Sequence, residues 1–304
     1  MDLKPTIVLL AGPTASGKSK LAIKLSKALN GEIVNADSMQ VYKELKILTS
    51  RPSQSDVKKI KHHLYGFISV KKNFSTGAWL NIATKKIKSI LEKKKVPILV
   101  GGTGLYFKTL IDGLVQIPEI PISLKEKIRK YHKTIGQEKF YNELLKLDPK
   151  VKNFILESDK QRSIRAYEVK KFTKKSLFDW IKNTKPMFDP DLFEKFFIHP
   201  SKDFLLQQIN LRVNRMFKQG VKQEVKEFLK LKIRSDLSAN KVIGIQEIKD
   251  HLMKKLTLKD VKNLIQIRTR QYVKRQFTWA RGKMSSWKII NPKNYKDILD
   301  TLIN

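Results

Sequence analysis

The sequence predicts an α/β fold in which a parallel sheet is flanked by helices and carries an inserted helical subdomain. Three observations lead there. The segment Gly12-Pro13-Thr14-Ala15-Ser16-Gly17-Lys18-Ser19 fits G-x-x-x-x-G-K-[ST] at every fixed position, directly after the apolar run Ile7–Ala11. Apolar runs at 33–36 and 96–100 then alternate with helical periodicity, the pattern of strands buried in a parallel sheet. Near Leu114 the text changes to a stretch bearing Pro118 and Pro121, followed by lysine-rich amphipathic helices reaching to about Pro200.

Taken in order, residues 7–11 form the first strand, and the glycine-rich loop after it opens a helix over 18–29. The glycines let successive N–H groups point at phosphate oxygens. Lys18 adds a mobile positive charge and Ser19 offers a hydroxyl to Mg²⁺. The helix N-terminus contributes unpaired N–H groups and a partial positive charge. The expected ligand is a metal-bound diphosphate, and the expected core is P-loop NTPase-like. Strands at 33–36 and 96–100 flank a helix over 76–94. Ligands collect beyond the carboxyl ends of such strands, where the loop, Asp37-Ser38 and Gly101-Gly102-Thr103-Gly104 all fall. The core is expected to comprise 1–113 and 201–304, with 114–200 inserted. Beyond the insert, helical periodicity covers 204–231, 239–253 and 257–280, the last opened by the capping-box-like Thr257-Leu258-Lys259-Asp260.

Composition sets limits on function. With 304 residues and 41% hydrophobic content the chain can bury a substantial core. No apolar stretch approaches the roughly 20 residues that span a bilayer, and the start lacks a signal-peptide pattern, so a cytoplasmic protein without membrane contact is expected. Having no cysteine excludes disulfides, a thiol nucleophile and cysteine-ligated zinc; the five scattered histidines argue against a histidine-rich metal site. Lys and Arg number 63 against 28 Asp and Glu, and the formal charge of +35 points to a polyanionic partner such as nucleic acid. Runs such as Lys93-Lys94-Lys95 and Lys170-Lys171 equally suit ordinary solvated helix faces. Position must decide which charges matter.

Asp37 ends the second strand, where parallel-sheet geometry aims a carboxylate at the ligand. It is the general-base candidate; a Mg²⁺ ligand or an Asp-Ser turn are the other roles open to it. The strand at 96–100 ends in glycines rather than the acid of a Walker-B strand, leaving Asp37 as the evident strand-end carboxylate. Thr103 has a side-chain oxygen for a reacting group or for capping the next helix. Toward the C-terminus, Arg270, Lys274, Phe277 and Arg281 fall on one helical face, with Gln271, Arg275 and Thr278 beside it. That mixture suits phosphate contacts, base or sugar hydrogen bonds and stacking, although a solvated basic helix has the same composition.

The loop, Asp37-Ser38-Met39-Gln40-Val41-Tyr42, His62-His63-Leu64, Gly101-Gly102-Thr103-Gly104-Leu105-Tyr106, Gln161-Arg162-Ser163-Ile164-Arg165-Ala166-Tyr167-Glu168-Val169 and the segment from Thr269 to Arg281 occur in the order seen in tRNA dimethylallyltransferases. The chain resembles that family over nearly its whole length. Small-molecule and nucleotide kinases share the loop and remain the alternative, but lack reason to carry the later motifs. The resemblance implies transfer of a dimethylallyl group from its diphosphate to N6 of the adenosine 3′ of the anticodon. Asp37 would accept the N6 proton, Thr103 would help hold the target, and Gly12, Pro13 and Thr14 to Ser19 would bind the donor with Mg²⁺ at Ser19. It further implies anticodon stem-loop contacts from Asp37, Ser38, Met39, Gln40, Thr103, Lys125, Gln161, Arg162, Ser163, Ile164 and Arg165. To these it adds Lys241, Val242, Ile243, Gly244, Ile245 and Gln246, then Lys274, Arg275, Gln276, Phe277, Thr278, Trp279, Ala280 and Arg281. His62 and His63 are expected to shape the fold. The chain is expected to act as a monomer.

Some positions depart from the family's usual text. Leu48-Thr49-Ser50-Arg51-Pro52 replaces Gly-Thr-Ala-Lys-Pro, and Lys174 stands where glycine is common. Gly244-Ile245-Gln246-Glu247 lacks the family's usual Tyr and basic residue. Gln208 occupies the place of an arginine expected to assist the diphosphate, so Arg212 and Arg215 are the substitutes.

Overall fold

The computed structural model describes residues 6–182, 184–291 and 298. Strand β1 (Ile7–Ala11) has no polar residue and is buried throughout, as the central strand of a parallel sheet must be. The phosphate loop leads into α1 (Lys18–Ala28), followed by β2 (Gly31–Asn35), α2 (Gln54–Lys59), β3 (His62–His63), α3 (Thr76–Leu91) and β4 (Val96–Gly101). Val8 and Leu10, Ile33, Ile98 and Val100 pack with Leu21, Ala22 and Leu25 of α1 into one apolar cluster. Each large apolar side chain buried there contributes roughly 1.5–3 kcal/mol. Alternate residues Leu9, Val34 and Leu99, equally buried, point to the other face, and α3 packs on β2 and β4.

After β4 come α4 (Gly104–Asp112), α5 (Ile122–Ile135), α6 (Gln137–Leu147), α7 (Lys160–Thr173) and α8 (Leu177–Lys182). The chain then returns to the sheet as β5 (Phe193–Ile198), continues through α9 (Lys202–Lys218), α10 (Val221–Lys230), α11 (Ile245–Leu252) and α12 (Leu258–Lys283), and adds β6 (Lys288–Ile290). The six strands are all parallel, in the order β3-β2-β4-β1-β5-β6. Ala11 is in register with Gly101 and with Phe197, so three strands end at one level. This is a P-loop NTPase-like sheet. Among the described residues no helix is long and apolar enough to cross a membrane.

The chain forms two units, one from the segments up to Ile111 and from Phe188 onward, the other Asp112–Met187. The expectation of an insert over 114–200 therefore needs a correction at its far end. Residues 193–198 pair with β1 instead of continuing the lysine-rich helices, because Phe193, Phe196, Phe197 and Ile198 are buried on the sheet around a more exposed Glu194-Lys195. Those two charges hide the strand in the sequence. The expected helix over 204–231 is two helices, since Gly220 takes φ 88 between them. His62 and His63 form the edge strand, where His63 Nε2 lies 2.6 Å from Glu32 and Lys95 lies 3.1 Å from the same carboxylate.

In the Asp112–Met187 unit, Tyr141, Leu144, Val151, Ile155 and Ala166 form the core, and the Tyr141 hydroxyl donates to the Ile155 carbonyl at 2.6 Å. Helix α7 ends on Lys174, held in the left-handed region at φ 60. A side chain there costs about 1 kcal/mol, which glycine avoids at the expense of a looser unfolded chain. Lys174→Gly is expected to stabilise the protein by about 0.5–1 kcal/mol. Urea unfolding checks this: the midpoint should rise at unchanged slope, and a fall would mean that the Lys174 side chain itself stabilises the turn.

Candidate active site

The phosphate loop is a strained concavity built by alternating backbone conformations. Ala15 at φ 64 and Gly17 at φ 86 both occupy the left-handed region, the second as the N-cap of α1. Such a curl turns successive N–H groups inward to make an anion nest. The strain at Ala15, roughly 1–2 kcal/mol, is of the kind that accumulates at functional sites. Across the loop, a Cβ on Gly101 would lie 2.0 Å from the Ala36 carbonyl oxygen, so only glycine lets β4 end this close to the Asp37 loop.

Lys18 folds back to donate to the Pro13 carbonyl at 3.0 Å. Burial lowers its pKa to about 8, Asp37 acting against that shift and Arg212 adding to it. Arg212, projecting from α9, donates to the Thr14 hydroxyl at 2.5 Å and to the Leu48 carbonyl at 3.1 Å. Arg215 and Gln208 border the same cavity without such a bond to the loop. Of the two substitutes expected for the missing arginine, Arg212 is the one brought onto the phosphate loop. Its approach depends on the 46–48 backbone, whose three amides donate to Glu224 on α10 at 2.7, 2.7 and 2.9 Å.

Asp37 follows β2 in a turn its own side chain closes, with Oδ1 accepting the Met39 N–H at 2.9 Å. Asn35 pins the same turn by accepting the Asp37 N–H and donating to the Asp37 and Leu64 carbonyls. The Thr103 hydroxyl accepts the Ser38 N–H at 2.9 Å and donates to the Ser38 hydroxyl at 3.2 Å. It is thus engaged in joining the two strand-end loops, where the sequence suggested a bond to a reacting group. Burial, with the Asp37 charge adding, pushes the Tyr65, Tyr106 and Tyr272 hydroxyls upward, so all three stay protonated around the carboxylate.

A cavity of about 600 Å³ brings Ser16, Ser19, Lys18, Asp37, Arg212 and Tyr272 together. Lys241, Val242 and Ile243 line it as well, as do Met39 and Gln40. A smaller cavity of about 280 Å³ meets it at Tyr272 and Arg275 and is bordered by Thr103, Gln276 and Trp279. Arg270, Lys274, Phe277 and Arg281 share a face, as the spacing predicts, and line a separate cavity of about 650 Å³.

Not every expected RNA contact presents its side chain. Ser163, Ile245 and Ala280 are buried, and Ser163 donates to the Asp159 carbonyl. Gly244 serves as the left-handed N-cap of α11 at φ 109. Gln161, Arg162, Gln246 and Thr278 are exposed, while Lys125, Ile164 and Arg165 are half-buried in the Asp112–Met187 unit. Gln276 does something the sequence did not suggest: its Oε1 accepts the Thr14 N–H at 3.0 Å and its Nε2 donates to the Gly102 carbonyl at 2.9 Å. One amide side chain thus fastens α12 to the loops that follow β1 and β4. Tyr272 was missed because an aromatic between basic residues reads as surface.

The sequence model of the family described as IPP transferase matches residues 40–283. The chain belongs to the IPP transferase family. A relative named tRNA dimethylallyltransferase from Pelagibacter ubique is 54% identical over 292 residues, covering 96% of this chain and 93% of its own. Another of that name, from Rickettsia massiliae, is 42% identical over 98% of this chain and 82% of its own. Among solved structures, the tRNA isopentenylpyrophosphate transferase of Bacillus halodurans superposes with a TM-score of 0.70 at 29% identity, covering 99% of this chain and 96% of that one. A eukaryotic dimethylallyltransferase acting on tRNA gives 0.83 at 26% identity, covering 95% and 74%.

Proposed function

We propose that this chain transfers the dimethylallyl group of dimethylallyl diphosphate to N6 of the adenosine 3′-adjacent to the anticodon of tRNA, giving N6-isopentenyladenosine and diphosphate. The observation that carries the reading is the single cavity in which Asp37 faces Lys18 and Arg212 across the phosphate loop. A base stands opposite two cations, as alkyl transfer to a weakly nucleophilic amine requires.

Adenine N6 attacks the primary allylic carbon, the carbon–oxygen bond breaks with its electrons going to the diphosphate, and the N6 proton passes to the Asp37 carboxylate. Exocyclic N6 is a poor nucleophile because its lone pair is delocalised into the ring, so removing the proton as the bond forms lowers the barrier. Lys18, Arg212 and the loop amides hold the charge that develops on the leaving oxygen. The target base leaves the anticodon-loop stack to reach a recessed donor. Mg²⁺ suits the residues present: the Ser19 hydroxyl lines the cavity at the end of the phosphate loop, where a cation would accompany the diphosphate. That donor set matches a cation arriving with phosphates and held by one or two side chains. When bound it neutralises the diphosphate and makes it a better leaving group.

Lys274 and Arg275 are both exposed on α12 and are assigned to RNA phosphates. Replacing both is expected to weaken stem-loop binding and to lower the slope of log affinity against log salt by roughly 0.7 to 0.9 per lost contact. An unchanged slope would leave this a solvated helix. The reading as a whole is tested by incubating the protein with an anticodon stem-loop and either dimethylallyl diphosphate or ATP, then weighing the nucleosides by mass spectrometry. Dimethylallylated adenosine supports it. Phosphate transfer from ATP, with no alkylated nucleoside, would point to the kinase alternative.

A further inference from the structure

The Asp112–Met187 unit holds a charged cluster with a feature that helix stapling alone does not require. Glu168 on α7 is 3% exposed, so its carboxylate has been taken out of water. Arg129 from α5 brings its Nε within 3.6 Å of Oε1, and Arg165, on α7, brings an Nη within 3.6 Å of Oε2. Oε1 has no hydrogen bond. Both arginines keep their outer edges in solvent, with side chains 57% and 43% exposed. Lys125 lies four residues before Arg129 and shares its helical face.

We propose that Arg129 and Arg165, held on either side of buried Glu168, form a phosphodiester-binding pair for the RNA substrate. This rests on the RNA reading above and goes beyond it by naming Arg129 as a contact and Glu168 as the residue that positions both arginines. Taking a carboxylate out of water is costly, and only close, fully hydrogen-bonded geometry offsets that cost. At 3.6 Å with an unsatisfied oxygen, the cluster is not optimised for stability. What it accomplishes is to fix two guanidiniums from different helices at one place while leaving most of their donors free. A guanidinium has five N–H donors in a rigid fork suited to phosphate oxygens, and holding it in place before binding reduces the entropy lost on docking. Arg162 provides the contrast: it is 71% exposed and paired with the accessible Asp159, an arrangement worth little in water. Many cations decorate this surface, and a buried anion singles out these two.

The test is stem-loop RNA binding measured between about 50 and 200 mM salt, with folding of each variant checked by thermal unfolding. Arg129→Gln and Arg165→Gln are each expected to weaken binding roughly tenfold and to reduce the salt slope by roughly 0.7 to 0.9. Lys127→Gln, exposed on the opposite side of α5, should change neither by much. Glu168→Gln discriminates by sign. Removing a negative charge from a purely electrostatic surface leaves binding unchanged or tightens it, whereas loss of a positioning residue weakens it, by about threefold to tenfold, with the slope kept. Should that variant fail to fold, the arginine variants decide the matter alone. Wild-type affinity and slope in Arg129→Gln or Arg165→Gln, or unchanged or tighter binding by a folded Glu168→Gln, overturns the proposal. Failure of the unmodified chain to bind the stem-loop sinks the RNA reading itself, and the proposal with it.

Discussion

Replacing Lys18 by alanine should reduce dimethylallyl transfer by at least roughly 10²- to 10³-fold while stem-loop affinity stays close to that of the unmodified chain. Lys18 lies at the start of α1 with its ammonium inside the phosphate loop, bonded to Pro13, so it is already placed where a diphosphate would sit. Removing it takes away a charge that grows in value as the carbon–oxygen bond breaks. The sign of the accompanying pH effect follows from its burial. A pKa lowered to about 8 means that the ammonium is charged below that pH and neutral above it. Donor affinity should therefore fall as pH rises through about 8, and the alanine variant should lose that dependence. Donor titrations at several pH values and single-turnover transfer separate the two effects. Normal turnover and donor affinity in the variant would remove the loop from the mechanism.

The difference between what the sequence disclosed and what it concealed has a physical basis. Local rules were readable: the glycine and lysine spacing of the loop, the all-apolar β1, and the four- and seven-residue spacings that place Arg270, Lys274 and Arg281 on one wall. Strand-end convergence also followed, because parallel strands carry their ligands at one edge regardless of side-chain detail. What remained hidden were pairings between residues far apart in the chain. Nothing near Gln276 says that its amide will bridge Thr14 and Gly102, and nothing near Arg212 says that it will reach Thr14 rather than solvent. Strand β5 was concealed for another reason. Its half-buried Glu194-Lys195 pair breaks an apolar run in a lysine-rich text, where charge carries little information about burial.

The same consideration applies to the many cations of this chain. Lysines on solvated faces raise the encounter rate with any polyanion but do not orient it. Orientation requires cations with restrained geometry. Arg212 is restrained by Thr14 and the Leu48 carbonyl, which Glu224 holds in turn through the three amides of residues 46–48. The Leu48-Thr49-Ser50 departure from the family's text thus occurs where the backbone, not the side chains, supplies the contact to Arg212.

Asp37→Asn is expected to lower single-turnover transfer by roughly 10²- to 10⁴-fold at saturating donor and stem-loop, with binding of either much less affected. The substitution is conservative in shape for a reason visible in the turn. Asp37 closes it by accepting the Met39 N–H on Oδ1, and the asparagine carbonyl oxygen can accept the same bond. Asn35, Thr103 and Ser38 hold the backbone through contacts that do not involve the second carboxylate oxygen. What the amide cannot do is take the proton from adenine N6. The surrounding tyrosines do not replace it, because burial, the larger cause and the one that survives the substitution, keeps Tyr65, Tyr106 and Tyr272 protonated. Separate titrations of donor and stem-loop distinguish chemistry from affinity. Transfer near the wild-type rate in a single turnover would rule Asp37 out as the essential base, and a loss confined to donor binding would reassign it to the metal-diphosphate site beside Ser19.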